Sequence, residues 1–177
     1  QYNGEDNYQT VDEYPSIVES EGYIYLSSQS NSNIFATKTE ANRGNYDLWF
    51  LKINKNNSDV IWDKTMGGSG LDYASSLVKD NNNLYITGNV FSGVSSEVIE
   101  TPRGGGDIWT ICLDTSKTLI WQKRIGGSLF DGGIKTIPTS TSLVYIAGNS
   151  ESNISFEKDE NCRGNYDYWI VQLDVNL

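Results

Sequence analysis

The sequence predicts an all-β protein that is built from repeated, four-stranded antiparallel units. One observation is a run of the form Arg-Gly-x-x-Asp-x-Trp, which occurs three times and begins at Arg43, Arg103 and Arg163. The period is 60 residues, and a fixed period of this kind is the sequence signature of a repeat architecture. The other observation is that each unit divides into four short runs bounded by Gly, Asn, Asp or Ser, which is strand spacing. Such units are typical of β-propeller blades.

The second unit shows the four predicted strands most clearly. They cover residues 73–79, 83–90, 107–113 and 119–125. Short polar segments that tolerate tight turns join the first two and the last two strands. The third strand is apolar on both faces, around Ile108 and Trp109, and this predicts sheets stacked face to face. A solenoid of two-stranded units or an up-and-down barrel is the alternative, although 60 residues is a long unit for either.

Other positions recur at the same period. They are Tyr25, Tyr85 and Tyr145, then Trp62 and Trp121, and the Gly-Gly-Ser segments that begin at Gly67 and Gly126 and lead to Asp72 and Asp131. All five tryptophans lie on recurring positions, so we expect Trp49, Trp109 and Trp169 to lie in the core. We divide the single domain, 1–177, into a strand at 1–6 that completes another blade, repeat one at 7–66, repeat two at 67–125, and repeat three at 126–177, which lacks its last strand.

The recurring positions resemble a known family. The matching residues are Gly67-Gly68 to Asp72, Tyr85 to Gly88, Gly106-Asp107-Ile108-Trp109, Leu113-Asp114 and Trp121. In this order they resemble the bacterial secreted β-propeller repeat, the seven-bladed β-propeller (SBBP-type) repeat. The resemblance implies a propeller that is secreted or displayed on a bacterial cell surface. Two departures are that only three units are present and that Asn7-Tyr8 replace Gly-Gly in the first.

Three blades are too few for a ring, since propellers begin at about four blades. The third unit stops just after Leu173-Asp174, whereas residues 1–6 align with a fourth strand that has no blade of its own. One prediction is a symmetric homodimer that closes as a six-bladed ring by exchanging this strand. The other is that the chain is part of a larger propeller.

Composition excludes several classes of function. The net charge of −10, with 13 basic residues scattered among 23 acidic ones, argues against nucleic-acid binding. No apolar run approaches the length of about 18 residues that a membrane helix needs. The chain has no His, so a Ser-His-Asp or Cys-His nucleophile is excluded. Cys112 and Cys162 lie at opposite ends of the repeat's third strand, which argues against a disulfide between them.

The segments 28–42, 89–102 and 149–162 differ most between the units, and we expect a ligand there. The candidate ligand-binding residues are Arg43, Arg103 and Arg163 together with Phe35, Phe91 and Phe156. A ring of guanidinium groups can hold carboxylates or sugar hydroxyls through forked hydrogen bonds. The alternative is that each Arg braces the turn before the third strand, paired with a neighbouring Asp. The phenylalanines are either exposed contacts or packing residues above the core.

Acidic residues recur near the same rim. They are Asp47, Asp107 and Asp167, with Asp12, Asp72 and Asp131. Such a rim can attract Ca²⁺, but no dedicated calcium loop is present, and we expect no cofactor. The alternatives are that each Asp accepts backbone N–H bonds in its own loop, or that two of them form a glycosidase pair.

These observations predict a non-enzymatic extracellular binding module, with a glycan or surface polymer as its ligand on one propeller face. The alternative is a structural or assembly partner of a secreted or outer-membrane protein, for which an exposed apolar patch would be the sign. A carboxylate-based hydrolase is the third possibility. The propeller resemblance alone does not choose among them, because fold does not imply function.

Overall fold

The computed structural model describes residues 15–139 and 142–176 of the 177-residue chain. Its regular elements in these residues are all β-strands, so the predicted all-β class is confirmed. The strands form three separate antiparallel sheets of four, four and three strands. No helix in the described residues is long and apolar enough to cross a bilayer.

The first sheet has its strands in sequence order. They are β1 (Ser16–Ser20), β2 (Tyr23–Ser30), β3 (Asp47–Asn54) and β4 (Val60–Met66). Short turns join β1 to β2 and β3 to β4, whereas a long loop joins β2 to β3. The central strand β3 is rich in Leu, Ile and aromatic residues, and most of its side chains are buried on both faces.

The second sheet repeats this arrangement. Its strands are β5 (Asp72–Asp80), β6 (Asn83–Val90), β7 (Asp107–Asp114) and β8 (Leu119–Ile125). Every boundary lies within one residue of the predicted strand. Strand β7 is buried along both faces over its first seven residues, as its apolar sequence predicts. The period-based assignment of strands is therefore confirmed for this unit.

The third sheet has three strands in the described residues. They are β9 (Asp131–Pro138), β10 (Leu143–Ser150) and β11 (Asp167–Asp174). The strand predicted at 1–6 lies outside the described residues, as does Asp12. None of the three sheets closes on itself. Ring closure and the repeat boundaries therefore stay predictions.

The three sheets stack face to face. Strand β5 contacts β1, β2 and β3 of the first sheet, and β9 contacts β5, β6 and β7 of the second. Because side chains alternate between the faces of a strand, Leu48 and Phe50 of β3 pack towards the second sheet. Trp109 and Ile111 of β7 belong to the same cluster. The main core thus lies between the first and second sheets.

A second interface of the same kind joins the second and third sheets. Ile108 and Ile125 pack there against Ile146 and Trp169, and Tyr85, Cys112 and Val144 form a neighbouring cluster. The three tryptophans at the equivalent position of β3, β7 and β11 are all buried, which confirms that they belong to the core.

Candidate functional site

The long loops and the loops that lead into each sheet meet at one edge of the molecule. The backbone of Tyr46, at the end of the β2–β3 loop, forms a parallel bridge with Leu71, and Gly106 does the same with Phe130. The β2–β3 and β6–β7 loops therefore each contact the segment that enters the next unit. We call this edge the loop edge.

Four of the recurring aspartates at the loop edge are buried, whereas Asp167 of the third unit is half-buried. Asp47, Asp72, Asp107 and Asp131 have no measurable exposure. Each carboxylate accepts a backbone N–H from its own loop, such as that of Gly68 on Asp72 at 2.7 Å. Burial raises the pKa of Asp72, although hydrogen bonds from Ser92 and the loop backbone act in the opposite direction. These groups shape the loops, and a ligand cannot reach them.

Two of the three predicted arginines join neighbouring units. The guanidinium group of Arg43 donates to Glu97 of the next unit at 2.8 Å and to Glu40 at 3.3 Å. Arg103 repeats this pattern with Glu157 at 2.9 Å and Glu100 at 3.0 Å. This is a bracing arrangement, but its partners are glutamates, whereas the sequence suggested a neighbouring aspartate.

The ion pairs change the character of these arginines. Hydrogen bonding to Glu157 raises the pKa of Arg103, and its other neighbour Glu100 adds to that effect. In contrast, Arg163 is exposed, and in the described residues its ion pair is a long contact of 3.8 Å with Glu160. Arg43 and Arg103 are thus paired with glutamates of two units, whereas Arg163 is exposed.

The three predicted phenylalanines occupy different places. Phe35 and Phe156 lie in the tight hairpins of the long loops, where Phe35 pairs with Lys38 and Ser155 with Lys158. Both rings are exposed. Phe91 directly follows β6, and its backbone N–H donates to the carbonyl of Leu71 at 2.9 Å. Their different positions explain why their spacing in the sequence is irregular.

Phe91 belongs to a row of aromatic rings that crosses all three units at the loop edge. The aromatic row consists of Tyr46, Tyr73, Phe91, Phe130 and Tyr166. Successive ring centroids are 6.2, 6.1, 5.8 and 6.4 Å apart. Phe91 and Phe130 are stacked, whereas Tyr73 with Phe91 and Phe130 with Tyr166 meet edge to face. No ring contact among the described residues joins Phe35 or Phe156 to this row.

The repeat itself does not require these aromatic residues. The position of Phe91 holds Asn31 in the first unit and Glu151 in the third. The position of Phe130 holds Leu71 in the second unit. Since the scaffold accepts polar or aliphatic residues at these places, the row is a property of this sequence and not of the repeated unit.

Gly106 shows how the row is accommodated. It stands where the other two units carry Tyr46 and Tyr166. Its φ of +148° is a conformation that favours glycine, and a Cβ atom at this position would collide with the Phe91 ring. The glycine therefore leaves room for Phe91, which supplies the aromatic ring for the second unit.

A cleft of about 300 Å³ lies beside Phe130, between the second and third units. Its walls include Ser75, Ile134 and the amide side chains of Asn89 and Asn149. The side-chain oxygen Oδ1 of Asn89 accepts a hydrogen bond from the backbone N–H of Gly133 at 2.8 Å, and this bond fixes the orientation of the Asn89 amide. The cleft thus combines an aromatic ring with neutral hydrogen-bonding groups, which is the usual composition of a small ligand site.

Arg124 anchors the loop that carries Phe91. Its guanidinium group donates to the carbonyls of Ser92 at 2.7 Å and Val90 at 3.4 Å, on either side of Phe91. It is buried and also bonded to the carboxylate of Asp107. The buried ion pair of Arg124 and Asp107 therefore fixes the backbone on both sides of Phe91, the central ring of the aromatic row.

Sequence reasoning missed four members of the row. Tyr46 and Tyr166 were visible within the recurring Arg-Gly-Asn-Tyr-Asp runs, and Tyr73 and Phe130 lie next to the recurring aspartates. The available signal was an aromatic residue flanking these motifs in each unit. It could not show that the five rings form one row, because that depends on the stacking of the sheets.

One of the two cysteines is buried and the other half-buried. Cys112 and Cys162 are both free, and burial raises the pKa of the Cys112 thiol to about 12. Across residues 15–139 and 142–176, no group of three or more Cys, Asp or Glu side chains is arranged to hold a metal ion.

Two comparisons with known proteins found no match for this chain. No protein-family model matches the sequence, and the search of curated proteins found no match either. The likeness to the secreted propeller repeat therefore rests on the recurring residues themselves.

Proposed function

We propose that this protein is a non-enzymatic, extracellular binding module of propeller blades, and that its aromatic row binds a glycan or a similar surface polymer. The location, secreted or on a bacterial cell surface, follows from the resemblance of its repeats. The observation that carries the proposal is the aromatic row with its adjoining cleft. A run of rings across three units suits an extended ligand better than a compact one.

The charges and side chains of the loop edge favour a neutral polymer as the ligand. The net charge of −10 repels polyanions. Arg43 and Arg103, which sequence analysis offered as carboxylate-binding groups, are engaged by glutamates. The row provides aromatic surface, and the cleft provides the side-chain amides of Asn89 and Asn149. These are suited to sugar rings and hydroxyls rather than to carboxylates.

The buried carboxylates support a binding role over a hydrolytic one. A glycosidase needs two carboxyl groups that flank the substrate bond at roughly 5–9 Å from each other. Asp47, Asp72, Asp107 and Asp131 are buried and engaged with loop backbone. The five members of the aromatic row are tyrosines and phenylalanines, and none is a carboxylic acid. Next to the row, Glu151 accepts a hydrogen bond from Tyr166, and this bond raises the pKa of that tyrosine.

The test is binding to a panel of soluble polysaccharides. The panel contains neutral xylan and β-glucan, cationic chitosan, and the polyanions alginate and polygalacturonate, and affinity is measured by titration calorimetry. We expect binding to a neutral member and no binding to the polyanions. Replacing Tyr166 with alanine should weaken that binding roughly tenfold, because an aromatic stacking partner is lost.

Ile154→Ala provides the matched control. Ile154 is an exposed apolar residue of the same loop as Tyr166, but it is aliphatic and is not a member of the aromatic row. We expect this variant to bind like the original protein. The proposal fails if no polysaccharide binds, or if the two variants bind equally well.

A second candidate function is that of an assembly partner in a larger secreted or outer-membrane complex. The observation that favours it is an exposed apolar surface on the third sheet, which includes Tyr168 and Ile170. Extensive exposed apolar surface on a soluble protein marks an interaction site. Tyr168 and Ile170 are not among the five rings of the aromatic row, so both functions can belong to one molecule.

A further inference from the structure

One face of the third sheet is exposed where the same face of the other two sheets is covered. Tyr168 of β11 is 93 % exposed, whereas its equivalents Leu48 and Ile108 are completely buried. Ile170 is 70 % exposed, and its equivalent Phe50 is 2 % exposed. We call this surface, with Tyr145, Tyr168 and Ile170, the open face. Its large apolar residues occupy positions that, in the first and second sheets, are buried against the next sheet.

The loop edge of the third unit has the same character. The backbone N–H of Asn45 donates to Gly70 of the next unit at 2.9 Å, and Gly105 donates to Leu129 at 2.9 Å. At both places the preceding glycine, Gly44 or Gly104, lies against the backbone of the next unit so closely that a Cβ atom has no room. Around the equivalent Gly164 there is open space.

Arg163 completes the pattern. Arg43 and Arg103 each pair with a glutamate on their own loop and with a second glutamate on the following unit. Arg163 retains the first pairing, with Glu160 at 3.8 Å. Its backbone N–H also donates to Asp167, as in the other units. The site is therefore shaped to receive a glutamate from another unit.

The first unit of a second copy does not fit this site. Thr37 stands where the second and third units carry Glu97 and Glu157. The outward side chains of β3, Trp49 and Leu51, are already buried, although Ile17 of β1, at the position of the interface residue Leu77, is exposed. A second copy would thus leave Arg163 without its partner.

The glycine pattern gives the same result. The Asp47 carboxylate lies against Gly67, and a Cβ atom on that glycine would collide with it. Gly126 has the same relation to Asp107. A strand that pairs with β11 should therefore carry glycine opposite Asp167, whereas the corresponding residue of the chain's own first repeat is Asn7.

We propose that the open face binds a further unit of this repeat that carries glutamate at the position of Glu97 and Glu157, and not the first unit of a second copy. The open face is equivalent to the faces that form the two existing interfaces, which supports a repeat unit as the partner. The charge of Arg163 supports a glutamate on that partner. The proposal rests on the open face and on Arg163, none of whose residues belongs to the aromatic row, and it does not depend on glycan binding.

The test supplies such a unit in register. A copy of residues 56–114, which contains Glu97, is joined after Val175 so that the 60-residue period continues. Tetranitromethane then nitrates accessible tyrosines, and mass spectrometry reads the peptide that contains Tyr168. We expect Tyr168 to react in the original chain and to lose its reactivity in the extended chain, to the level of buried Tyr85.

A variant of the copy with Glu97→Gln is the matched control for the charge. Its melting temperature should lie below that of the extended chain with Glu97. The further substitution Arg163→Ala should lower the melting temperature only where the glutamate is present. Equal reactivity of Tyr168 in the original and extended chains would overturn the proposal, and so would an extended chain that melts at a lower temperature than the original.

The original chain provides an independent check. Light scattering is combined with nitration at increasing protein concentration, and we expect Tyr168 to remain reactive throughout. A dimer in which Tyr168 is protected would show that a second copy covers the open face, and it would overturn the proposal in favour of the six-bladed homodimer. This check does not require the extended chain to fold.

Discussion

Lys38 is the most deeply buried cation of the first unit, with 1 % exposure. Its ammonium group donates to the carbonyl of Glu40 at 2.7 Å and to the hydroxyl of Thr65, and it lies 5.9 Å from the centre of the Trp49 ring. Burial lowers its pKa to about 8, although Asp63 and Asp47 oppose the shift. The folded protein thus holds this proton less tightly than the unfolded chain does.

The stability of the protein should therefore depend on the charge of Lys38. Between a pKa of about 8 in the folded state and 10.5 in the unfolded state, the unfolded chain binds more protons, so stability rises with pH. We expect the free energy of unfolding of the original protein, relative to Lys38→Met, to increase from pH 8 to 10.5 by at most about 3 kcal/mol. Urea titrations across this range measure it.

Lys55→Met, at a half-exposed position, controls for the loss of a positive charge. We expect no comparable rise in the difference between this variant and the original protein. A difference between the original protein and Lys38→Met that stays flat, or falls with pH, would contradict the assignment of a depressed pKa to Lys38.

Phe156 combines an exposed ring, 68 % accessible, with a φ of 50°. The equivalent residues Ala36 and Ser96 have the same backbone conformation, so the hairpin dictates it. Asparagine tolerates this conformation well, whereas for a bulky side chain it is unfavourable. Phe156→Asn should therefore stabilise the protein by about 1 kcal/mol, measured as a shift in the urea midpoint.

The same variant tests Phe156 as a ligand contact. If this ring binds the polysaccharide that the original protein binds, Phe156→Asn will weaken binding while it strengthens the fold. If binding is unchanged, the aromatic row is sufficient. Loss of stability would show that the ring packs against the loop, which is the alternative that sequence analysis kept open.

At the scale of the elements, β7 and β8 are joined by a buried ion pair. Arg124 of β8 contacts the carboxylate of Asp107 at the start of β7, and both side chains are almost fully buried. Arg124 also holds the carbonyls on either side of Phe91. The equivalent residue of the first sheet is Thr65, so the first sheet lacks this pair.

Arg124→Met should destabilise the protein by about 3–5 kcal/mol, because it leaves the Asp107 carboxylate buried without its cation. The double variant Arg124→Met with Asp107→Asn should recover a substantial part of that loss, since the uncompensated charge is then removed. Chemical denaturation of the single and double variants measures both effects. A single variant that is as stable as the original protein would contradict the role given to this pair.

At the scale of the whole molecule, the units are joined by repeated devices rather than by one continuous sheet. Apolar faces stack between the sheets, and arginine–glutamate pairs join their loops. In a repeat protein, stability is approximately the sum of the units and of their nearest-neighbour interfaces. Each device can therefore be measured at one interface and compared with the next.

A double-mutant cycle on Arg103 and Glu157 should give a coupling energy of about 0.5–1 kcal/mol, because the pair is only partly shielded from water. The same cycle on exposed Arg163 and Glu160 should give a coupling indistinguishable from zero. Urea titrations of the single and double alanine variants provide both values. Equal coupling in the two cycles would contradict a role for Arg103 in joining the second and third units.

The strands were predictable because their signal is local. The boundaries of β5 to β8 follow from Gly, Asn and Asp at the ends of short apolar runs. The burial of Trp49, Trp109 and Trp169 follows from their place in a run that is apolar on both faces. The partner of Arg103 was less accessible, because Glu157 lies 54 residues away and the neighbouring aspartate was the nearer choice.

The sequence by itself determined the all-β class, the strands of the second unit and the burial of the three recurring tryptophans, since these depend on patterns within one chain. Only the tertiary structure decided that Tyr46, Tyr73, Phe91, Phe130 and Tyr166 form one row. It also decided that Tyr168 is exposed where Ile108 is buried. The physical reason is that ring contacts and coverage depend on how one sheet stacks on the next, and residues at equivalent repeat positions do not encode which neighbour they will meet.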